Sequence, residues 1–306
     1  NIYYSPNYRE NIDPFEILNF LHDNEIKKLI LIEASFEPIF KIISLLKLFE
    51  IKLYLIINIE CVRISEINYH MLFDRILCNN FNSYYIMNNL IQNKCSYLGF
   101  HLEHSYFINF KKDLKKNNNL KFVCCGGLNS ISRKNIDVIF DSFLEILKND
   151  NINIELIILI QGVENSTKLN IDHPKIHKKF KNYSYVENLN NISKNDIFIH
   201  CGGQEGLGLG FYEALYLGLP VLTLDWTPNN EIIKNNYNGW LIPINIDKVY
   251  ENQECLINRA VINDNNLKNK ILEIIINLDN TNAIINNTIN NRDYFIKKNK
   301  NKFENN

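Results

Sequence analysis

The sequence predicts an α/β protein made of two successive domains, each with a parallel β-sheet covered by helices. Short runs of apolar, often β-branched residues alternate along the chain with longer segments of helical periodicity. The runs are apolar without interruption, which is typical of parallel strands that are buried on both faces. A polar, Lys- and Asn-rich segment without periodicity, residues 108–121, divides the alternation into two series and is therefore the predicted linker.

The first series predicts a domain over residues 1–115. Its apolar runs, which predict four strands, are KLILIEA from Lys28, IKLYLIINIE from Ile51, RILCNN from Arg75 and CSYLGF from Cys95. The segments between them that predict helices are FKIISLLKLFE, a stretch that ends at Met71, and YYIMNNLIQN. Helices between strands provide the crossovers that parallel pairing requires, so this order favours a parallel sheet.

The second series predicts a larger domain over residues 116–275. Its predicted strands are KFVCCGG, IELIILIQG, a short one within KKFKNYSYV, DIFIHC, PVLTLD and WLIP. The strongly amphipathic segment KNIDVIFDSFLEILKND predicts one helix, and YEALYLG after a glycine-rich turn predicts another. From Asn263 the periodicity is helical but loose. This predicts a C-terminal helical segment over residues 276–306, whose last ten residues are expected to fray.

Composition places the chain among globular proteins and argues against several other classes. Its 306 residues, 46% apolar and 22% charged, are enough for two buried cores. A net charge of −1 gives no global attraction to nucleic acid. Seven cysteines without a CxxC pair favour reduced thiols in a cytoplasmic protein over a disulfide framework or a zinc site. No apolar run reaches the roughly 18 residues of a membrane span, and no signal peptide is recognised.

The most informative motif is EGLGLGFYE, which runs from Glu205 to Glu213 between the strand DIFIHC and the helix YEALYLG. Glycines at every second position let a ligand approach the backbone closely. The first N–H groups of the helix and its dipole favour an anion such as a diphosphate. The two carboxylates would repel that anion, but they can accept hydrogen bonds from hydroxyls. The motif therefore predicts a ligand with phosphate in the middle and polyols around it, which describes a nucleotide sugar.

Four segments resemble the retaining GT-B glycosyltransferases of group 1, the GT4-like family, and their order along the chain is also that of the family. They are the E-x7-E element Glu205–Glu213, the following EALYLGLPVLTLD, the segment NNEIIKNNYNGWLIP, and upstream CCGGLNSISRKNIDVIFDSF with its basic pair Arg133-Lys134. The resemblance is densest between residues 122 and 243. It implies a GT-B fold with two Rossmann-like domains that face a cleft, the first of them abbreviated here. It also implies that the final helical segment packs back toward the first domain.

The resemblance also implies roles for individual residues. Glu205, Arg133 and Lys134 would be catalytic. Glu205 would hold hydroxyls of the transferred sugar, and the two cations would neutralise the departing diphosphate. Glu213 would accept hydrogen bonds from the ribose. The remaining donor-binding positions are the glycine turn at Gly127, the base-cradling turn with Val186 and Asn188, and the backbone of Gly206, Leu207, Gly208 and Leu209.

The implied activity is transfer of a hexose-type unit from a UDP-sugar or GDP-sugar to an acceptor hydroxyl, with retention of anomeric configuration. No cofactor and no metal are expected, because Arg133 and Lys134 take the place of a metal cation and the sequence has no Asp-x-Asp motif. The acceptor would be a glycan, a lipid or a protein, and nucleic acid is not an expected partner. Lysine-rich patches are interpreted as solvated faces, with weak peripheral membrane contact as the alternative. These patches are Lys111-Lys112, Lys115-Lys116 and KIHKKFK from Lys175.

The acceptor side, which the resemblance assigns to the first domain, has fewer candidates. The family often has a histidine where a central strand of this domain ends, but here the strand IKLYLIINIE ends in Glu60. The family's glycine-rich loop near the start is not found. His101 and His104 follow the strand CSYLGF near the expected cleft, and surface or structural roles are the alternative for both. Glu60 and His104 are therefore the acceptor-side candidates.

Other interpretations stay open at this point. A GT-B-like scaffold that binds a nucleotide sugar without transferring it would also fit a shortened first domain. A dinucleotide-binding oxidoreductase would use the same strand, glycine turn and helix with a strand-end acid, Asp225. The glycines, however, read G-x-G-x-G rather than G-x-G-x-x-G. Glu231 either caps the following helix or contacts the ligand, and Cys124, Cys125 and Cys201 are interpreted as core residues.

Overall fold

The computed structural model of the chain describes residues 13–33, 37–114, 119–127, 131–162, 169–245 and 255–304. The predicted domain boundary between residues 115 and 116, and the Lys115-Lys116 pair, lie outside the described residues. Contacts divide the chain into two units. The first comprises Asn1–Phe100, Glu251–Asn258 and Asn305–Asn306, and the second comprises His101–Tyr250 and Arg259–Glu304.

The first unit is built on a four-stranded parallel sheet whose strands follow chain order. The strands are β1 Lys28–Ile32, β2 Lys52–Ile57, β3 Arg75–Cys78 and β4 Cys95–Tyr97. The α-helices are α1 Pro14–Asp23, α2 Glu37–Leu48, α3 Ile67–His70 and α4 Phe81–Leu90, and short 3-10 helices span Ile59–Cys61 and Ile64–Glu66. The four strands lie where the sequence predicts them.

One face of this first sheet is buried and the other is largely open. Leu53, Leu55 and Ile57 of β2 are fully buried, whereas Ile30 and Ile32 of the edge strand β1 are 57% and 67% exposed. The prediction that the strands are covered on both faces is therefore wrong for this unit. Strands that succeed one another across a sheet through right-handed crossovers place their helices on one face, which explains the difference.

The second unit is built on a six-stranded parallel sheet in the order β10-β9-β8-β5-β6-β7. Its strands are β5 Leu120–Gly126, β6 Ile154–Ile160, β7 Ile176–Phe180, β8 Ile197–His200, β9 Val221–Leu224 and β10 Gly239–Ile242. Its helices are a 3-10 turn at His104–Tyr106, α5 Ile136–Ile146, α6 Tyr185–Ser193, α7 Leu209–Tyr216, α8 Asn229–Ile232, α9 Asp264–Ile276 and α10 Leu278–Glu304. Every residue of β8 and β9 is buried, so these strands are covered on both faces as predicted.

The order of the second sheet fixes where a ligand would bind. From the central strand β5 the chain runs outward through β6 and β7, and it then returns to the other side of β5 to form β8, β9 and β10. The strand order therefore reverses at the β5–β8 pair. In open α/β sheets the ligand crevice lies outside the carboxyl ends of the strands at such a reversal.

Two strand predictions are corrected by the structure. The short strand predicted within KKFKNYSYV is β7, which ends at Phe180. The residues YSYV do not continue it, and the turn predicted at Val186 and Asn188 is wrong, because Tyr185 and Val186 open helix α6. Ser184 caps this helix: its hydroxyl accepts from the Glu187 N–H, and the Glu187 carboxylate accepts from the Ser184 N–H. Strand β2 ends at Ile57 rather than at Glu60, which lies in the 3-10 helix Ile59–Cys61.

The segments predicted at the linker and at the C-terminus also differ in extent. Strand β5 begins at Leu120, so the last two residues of the predicted linker belong to the sheet. Helix α10 continues to Glu304, through most of the ten residues that were expected to fray. The ring of Phe295, just before these residues, packs edge-on against the ring of Tyr216 of α7 at a centroid distance of 5.8 Å, which gives α10 a tertiary contact.

Candidate functional site

Two loops at the carboxyl ends of neighbouring strands form the candidate site. Strand β5 pairs directly with β8, with Cys124 opposite Ile199. The loop after β5 leads through Arg133 and Lys134 into α5, and the loop after β8 leads through Glu205 into α7. Because the strand order reverses at this pair, the two loops flank the position where such sheets bind ligands.

Asn135 joins these two loops. It lies directly before α5 in the left-handed region, with a φ of 53°. Its side-chain amide donates a buried hydrogen bond of 2.6 Å to the carbonyl of Cys201, the first residue after β8. Asn tolerates this backbone conformation better than most residues do, and its short amide reaches the neighbouring loop. The preceding residues Arg133 and Lys134 are therefore held next to the loop that contains Glu205.

Glu205 is buried, with 7% of the residue exposed, and its carboxylate contacts two basic side chains. Nε2 of His200 lies 2.8 Å from Oε1, and Nη1 of Arg133 lies 3.6 Å from the same oxygen. Gly202 makes room for this arrangement, because a Cβ there would overlap Oε1 and would lie 3.1 Å from Nε2 of His200. These side chains thus form one charged cluster at the carboxyl end of β8.

The cluster keeps Glu205 ionised. Burial raises the pKa of its carboxyl, but His200 and the charges of Lys134 and Arg133 outweigh burial and lower the pKa to about 2. Burial in turn lowers the pKa of His200, and Glu205 offsets this only in part. A neutral imidazole supplies no positive charge at pH 7, so we attribute the lowered pKa of Glu205 to the hydrogen bond and to the two cations. His200 is therefore neutral, with its proton on Nε2, where it donates to Glu205.

Glu213, in α7, is buried to a similar degree, at 9% exposure, but has different partners. The hydroxyl of Tyr185, the first residue of α6, hydrogen-bonds its carboxylate, and Lys134 supplies nearby positive charge. Burial raises the pKa of Glu213, and these two partners offset the effect only in part, so the pKa is raised to about 7. Lys134 acts electrostatically on both carboxylates, which links the two halves of the E-x7-E element.

Two glycines shape the start of α7. Gly208 precedes the helix with a φ of 71°, in the left-handed region, and a Cβ there would overlap the ring of Phe211. At Gly210 a Cβ would lie 3.2 Å from the ring of Phe198 and 3.6 Å from Nδ1 of His200. The first turn of α7 therefore packs directly on β8. The N-cap residue Gly208 has no side chain that could cap this turn, whose N–H groups are the ones that the sequence predicts to bind an anion.

The other donor-binding residues predicted from the sequence lie in three segments of the same unit. Gly127 directly follows β5, and no described atom beyond its two chain neighbours lies within 4 Å of the position that a Cβ would take. Residues 206–209 form the connection from Glu205 into α7. Val186 and Asn188 lie in the first two turns of α6, where Val186 is exposed and Asn188 half-buried. Tyr185 brings the start of this helix to the Glu213 carboxylate.

The acceptor-side candidates belong to different units. Glu60 lies in the first unit, in the 3-10 helix Ile59–Cys61, and His104 begins the 3-10 helix His104–Tyr106 of the second. Their acceptor role stays a prediction. Nδ1 of the neighbouring His101 lies 2.9 Å from the hydroxyl of Tyr216.

Asp225 and Glu231, the two acids considered for other roles, both make local contacts. Asp225, which follows β9, accepts a hydrogen bond of 3.0 Å from Asn230. Glu231, in α8, accepts one of 3.1 Å from the hydroxyl of Thr227. These bonds connect the end of β9 with α8.

His200 and Tyr185 shape the site but are missed by the sequence interpretation. A single histidine at the end of an apolar strand has no spacing that distinguishes it from a core residue. Tyr185 has a detectable signal, because the surrounding Ser-x-x-Glu pattern of Ser184 and Glu187 predicts a helix start. Tyr106 packs edge-on against Tyr185, with the ring centroids 5.3 Å apart. An aromatic pair thus lies beside Glu213.

The cysteines and the possible metal ligands can be compared only in the part of the chain that the structure describes. The cysteines are free, and burial raises the pKa of the Cys124 and Cys201 thiols, as expected for core residues. Within the described ranges, no group of three or more His, Cys, Asp or Glu side chains is placed to hold a metal ion. None of the helices in those ranges is long and apolar enough to cross a membrane.

Known structures confirm the predicted GT-B fold. Anabaena HepE (Alr3699) in complex with UDP and glucose matches with a TM-score of 0.69 at 12% identity, over 95% of this chain and 79% of that chain. The GtfA/B complex matches with 0.63 at 12% identity, over 97% and 61%. The pneumococcal O-GlcNAc transferase GtfA, in complex with UDP and GlcNAc, matches with 0.60 at 15% identity, over 94% and 59%. The chain thus spans about three fifths of the length of the last two.

At such low identity these matches establish the fold and not the activity. No curated protein sequence matches the chain. A family match is found for residues 106–271, more than half of the chain, and the family is described as Glycosyl transferases group 1. The matched residues include β5, β8, α7 and both carboxylates of the candidate site. The chain therefore belongs to the glycosyl transferases group 1 family.

Proposed function

We propose that this chain transfers a hexose-type unit from a nucleoside-diphosphate sugar to an acceptor hydroxyl, with retention of anomeric configuration. One observation carries the proposal. Two buried carboxylates and a basic pair, from the loops after two neighbouring strands, lie together at the reversal of a parallel sheet. The family match supports glycosyl transfer, and the arrangement of charges supports a diphosphate donor.

The basic pair suits the leaving group. When the bond between the anomeric carbon and the diphosphate oxygen breaks, negative charge develops on the nucleoside diphosphate. Arg133 offers a bidentate guanidinium to phosphate oxygens, and Lys134 offers a compact charge. Cations fixed in advance where charge develops stabilise a transition state more than the ground state. We assign Arg133 and Lys134 to this role, with the uncapped first turn of α7 as a further contact to phosphate.

The carboxylates suit the two polyols of such a donor. Glu213, next to the start of α6, is assigned to the ribose hydroxyls, and the neighbouring Val186 and Asn188 to the base. Glu205, ionised and held by His200, is assigned to hydroxyls of the transferred sugar. HepE and the pneumococcal GtfA were crystallised with UDP. UDP-sugars are therefore the first donors to test, followed by GDP-sugars.

The first experiment is a binding screen of UDP, GDP and ADP sugars by thermal shift, followed by calorimetry on those that bind. We expect at least one nucleotide sugar to bind and to raise the melting temperature. Lys134→Ala should weaken its binding by about 10- to 100-fold, since a charge-assisted contact to phosphate contributes roughly 1.5–3 kcal/mol. Lys148→Ala, which alters an exposed lysine just beyond the C-terminal end of α5, is the matched control and should bind like wild type. If no nucleotide or nucleotide sugar binds the wild-type protein, the proposal is wrong.

A second candidate function is a protein that binds the nucleotide sugar without transferring the sugar. It is supported by the first unit, whose described sheet has four strands, one of its faces largely open. The two functions differ in turnover. A transferase releases the nucleoside diphosphate when an acceptor glycan, lipid or protein is supplied, and Glu205→Gln should reduce that release by about 100-fold or more. A binding protein gives no acceptor-dependent release in either form.

A further inference from the structure

His200 has contacts that a core histidine would not need. It ends strand β8, is only 3% exposed, and lies 2.8 Å from Oε1 of Glu205 through Nε2. Arg133, the other described contact of this carboxylate, lies on the same oxygen. Both contacts therefore engage Oε1, and the second oxygen, Oε2, is not used by either of them.

The imidazole ring is held rigidly by its surroundings. The ring of Phe211 packs edge-on against it at a centroid distance of 4.8 Å, and the ring of Phe198 stacks at 6.3 Å. Gly210 brings the first turn of α7 against the ring, and Gly202 leaves the space in which the ring and the carboxylate meet. A ring fixed on several sides can hold a hydrogen-bond partner in one orientation at little cost in entropy.

We infer that His200 is a positioning residue of the donor site: its Nε2–H holds Oε1 of Glu205, so that Oε2 is presented to a hydroxyl of the transferred sugar. This inference rests on the proposed function and deepens it, because it separates recognition of the sugar from recognition of the nucleotide. His200 itself does not touch the donor. It acts through Glu205 alone, whereas Lys134 and Arg133 act on the diphosphate.

The charges around the pair support a donor role for a neutral imidazole. The ionisable groups that act on His200 are Glu205 and, from the loop before α5, Lys134 and Arg133. The two cations and burial all oppose protonation of the ring, and only Glu205 favours it. His200 therefore stays neutral near pH 7 and donates its single N–H to the carboxylate. It can keep Glu205 oriented without adding a charge that would compete with the cations for the diphosphate.

The test compares the affinities for UDP-glucose and for UDP, measured by calorimetry on the full chain. Their ratio isolates the contribution of the sugar. His200→Gln keeps a donor amide at the distance of Nε2, whereas His200→Asn is polar but too short to reach Oε1. We expect His200→Asn to lower the affinity for UDP-glucose about tenfold, the equivalent of one hydrogen bond to a charged group, and to leave that for UDP within about twofold. His200→Gln should restore most of the loss.

A pH series gives a readout that a purely structural histidine would not change. In wild type the contribution of Glu205 to this ratio should stay constant between pH 5.5 and pH 7.5, since the pKa of Glu205 is about 2. In His200→Asn the carboxyl keeps its burial but loses its donor, so its pKa rises. The ratio should then fall as the pH is lowered over this range. The terminal phosphate of UDP titrates in this range and the diphosphate of UDP-glucose does not, so the ratio of each variant is divided by the wild-type ratio at the same pH.

His70→Phe serves as the control, because His70 is a buried histidine of the first unit, outside the candidate site, whose Nδ1 lies 2.9 Å from the backbone carbonyl of Glu66. It should leave both affinities unchanged. Equal losses for UDP and UDP-glucose in His200→Asn, or no rescue by His200→Gln, would show a packing role and overturn the inference. If wild type binds neither ligand, the proposed function fails for this donor. These outcomes are distinct, so one experiment separates the two ideas.

Discussion

Glu205 and Glu213 are separated by seven residues of sequence and are buried to a similar degree. The positive charge of Lys134 acts on both carboxylates. Their surroundings nevertheless move their pKa values in opposite directions. Glu205 has a neutral imidazole donor and Arg133 at 3.6 Å, and its pKa is lowered to about 2. Glu213 has one phenol donor and no second cation among the groups that act on it, and its pKa is raised to about 7. Burial alone therefore does not decide the charge of a carboxyl in this site.

The comparison suggests a division of labour in the E-x7-E element. A permanently ionised Glu205 accepts hydrogen bonds from the sugar at any physiological pH. Glu213 is close to its titration point when the site is empty, so hydroxyl donors from a ribose would complete its ionisation by favouring the charged form. Four substitutions test this contrast, and their expected effects decrease from Glu205→Gln to Tyr185→Phe.

Glu205→Gln should have the largest effect on stability. The pKa of Glu205 in the folded protein lies below its ordinary value of 4.5, so folding favours the ionised form. The resulting contribution to the free energy of unfolding is on the order of 3 kcal/mol. It is complete above pH 4.5 or so and is lost as the pH falls toward 2. Urea unfolding at pH 7 should show the variant destabilised by about this amount, with a smaller difference at pH 3.

Glu145→Gln is a matched control for this measurement. Glu145 forms a surface ion pair of 3.0 Å with Lys268, and exposed pairs contribute less than about 1 kcal/mol. Its substitution should change stability little at either pH. A Glu205→Gln variant that is as stable as this control at pH 7 would show that the cluster around Glu205 does not stabilise its charge.

Glu213→Gln should have the opposite sign. The pKa of Glu213 is raised above its ordinary value, so folding favours the protonated form. The stabilising contribution of the protonated carboxyl is complete below about pH 4.5 and is lost as the pH rises through about 7. Above that pH the buried carboxylate destabilises the folded state by roughly 2–3 kcal/mol. The neutral amide avoids this, so the variant should be more stable than wild type at pH 8 and about equal at pH 4.5. If the difference in stability between the variant and wild type is the same at pH 8 and at pH 4.5, the pKa of Glu213 is not raised.

The contrast between the carboxylates could be predicted only in part from the sequence. The spacing from Glu205 to Glu213 and the basic pair Arg133-Lys134 are patterns, and together with the strand order they predict which loops meet. The ionisation of each carboxylate depends on His200 and Tyr185, which come from other positions in the chain. Neither has a sequence spacing that ties it to its carboxylate, because the contact exists only after β8, α6 and α7 have packed.

The first sheet shows a second limit of sequence interpretation. The run KLYLII of β2 is apolar at nearly every position, which predicts burial on both faces. In the structure, Leu53 and Leu55 are fully buried, but Tyr54 and Ile56 on the other face are only half-buried. The number of strands and their positions along the chain follow from the sequence, but their order within the sheet does not. Which faces receive helices depends on whether the strand order reverses, and this sheet has no reversal.

Gly202→Ala should have an intermediate effect, directed at Glu205 alone. The added methyl group would overlap Oε1 of Glu205 and crowd Nε2 of His200, so the pair would have to separate. Overpacking of this kind destabilises proteins by about 1–3 kcal/mol. The contribution of the sugar to UDP-glucose binding should also fall, because the methyl group displaces the Glu205 carboxylate. Gly127→Ala is the stability control, because its methyl would meet no described atom beyond its chain neighbours within 4 Å, and the two variants can be compared by urea unfolding at pH 7. If Gly202→Ala and Gly127→Ala are equally stable, the predicted crowding at Gly202 is wrong.

Tyr185→Phe should have the smallest effect, and it concerns Glu213 alone. The phenol donates to the Glu213 carboxylate and lowers its pKa, so loss of the hydroxyl should raise that pKa further above about 7. Because Tyr185 is half-exposed on α6, we expect a loss of only about 1 kcal/mol of stability at pH 8, and less at pH 5, where the carboxyl is already protonated. An NMR titration of carbon-13-labelled glutamate would measure the pKa of Glu213 directly.

Tyr183→Phe is the control for this titration. It removes a hydroxyl two residues earlier, from a ring that faces Lys181, and should leave the pKa of Glu213 unchanged. If Tyr185→Phe also leaves it unchanged, then burial and Lys134 set the ionisation of Glu213, and α6 contributes to this site through its packing only.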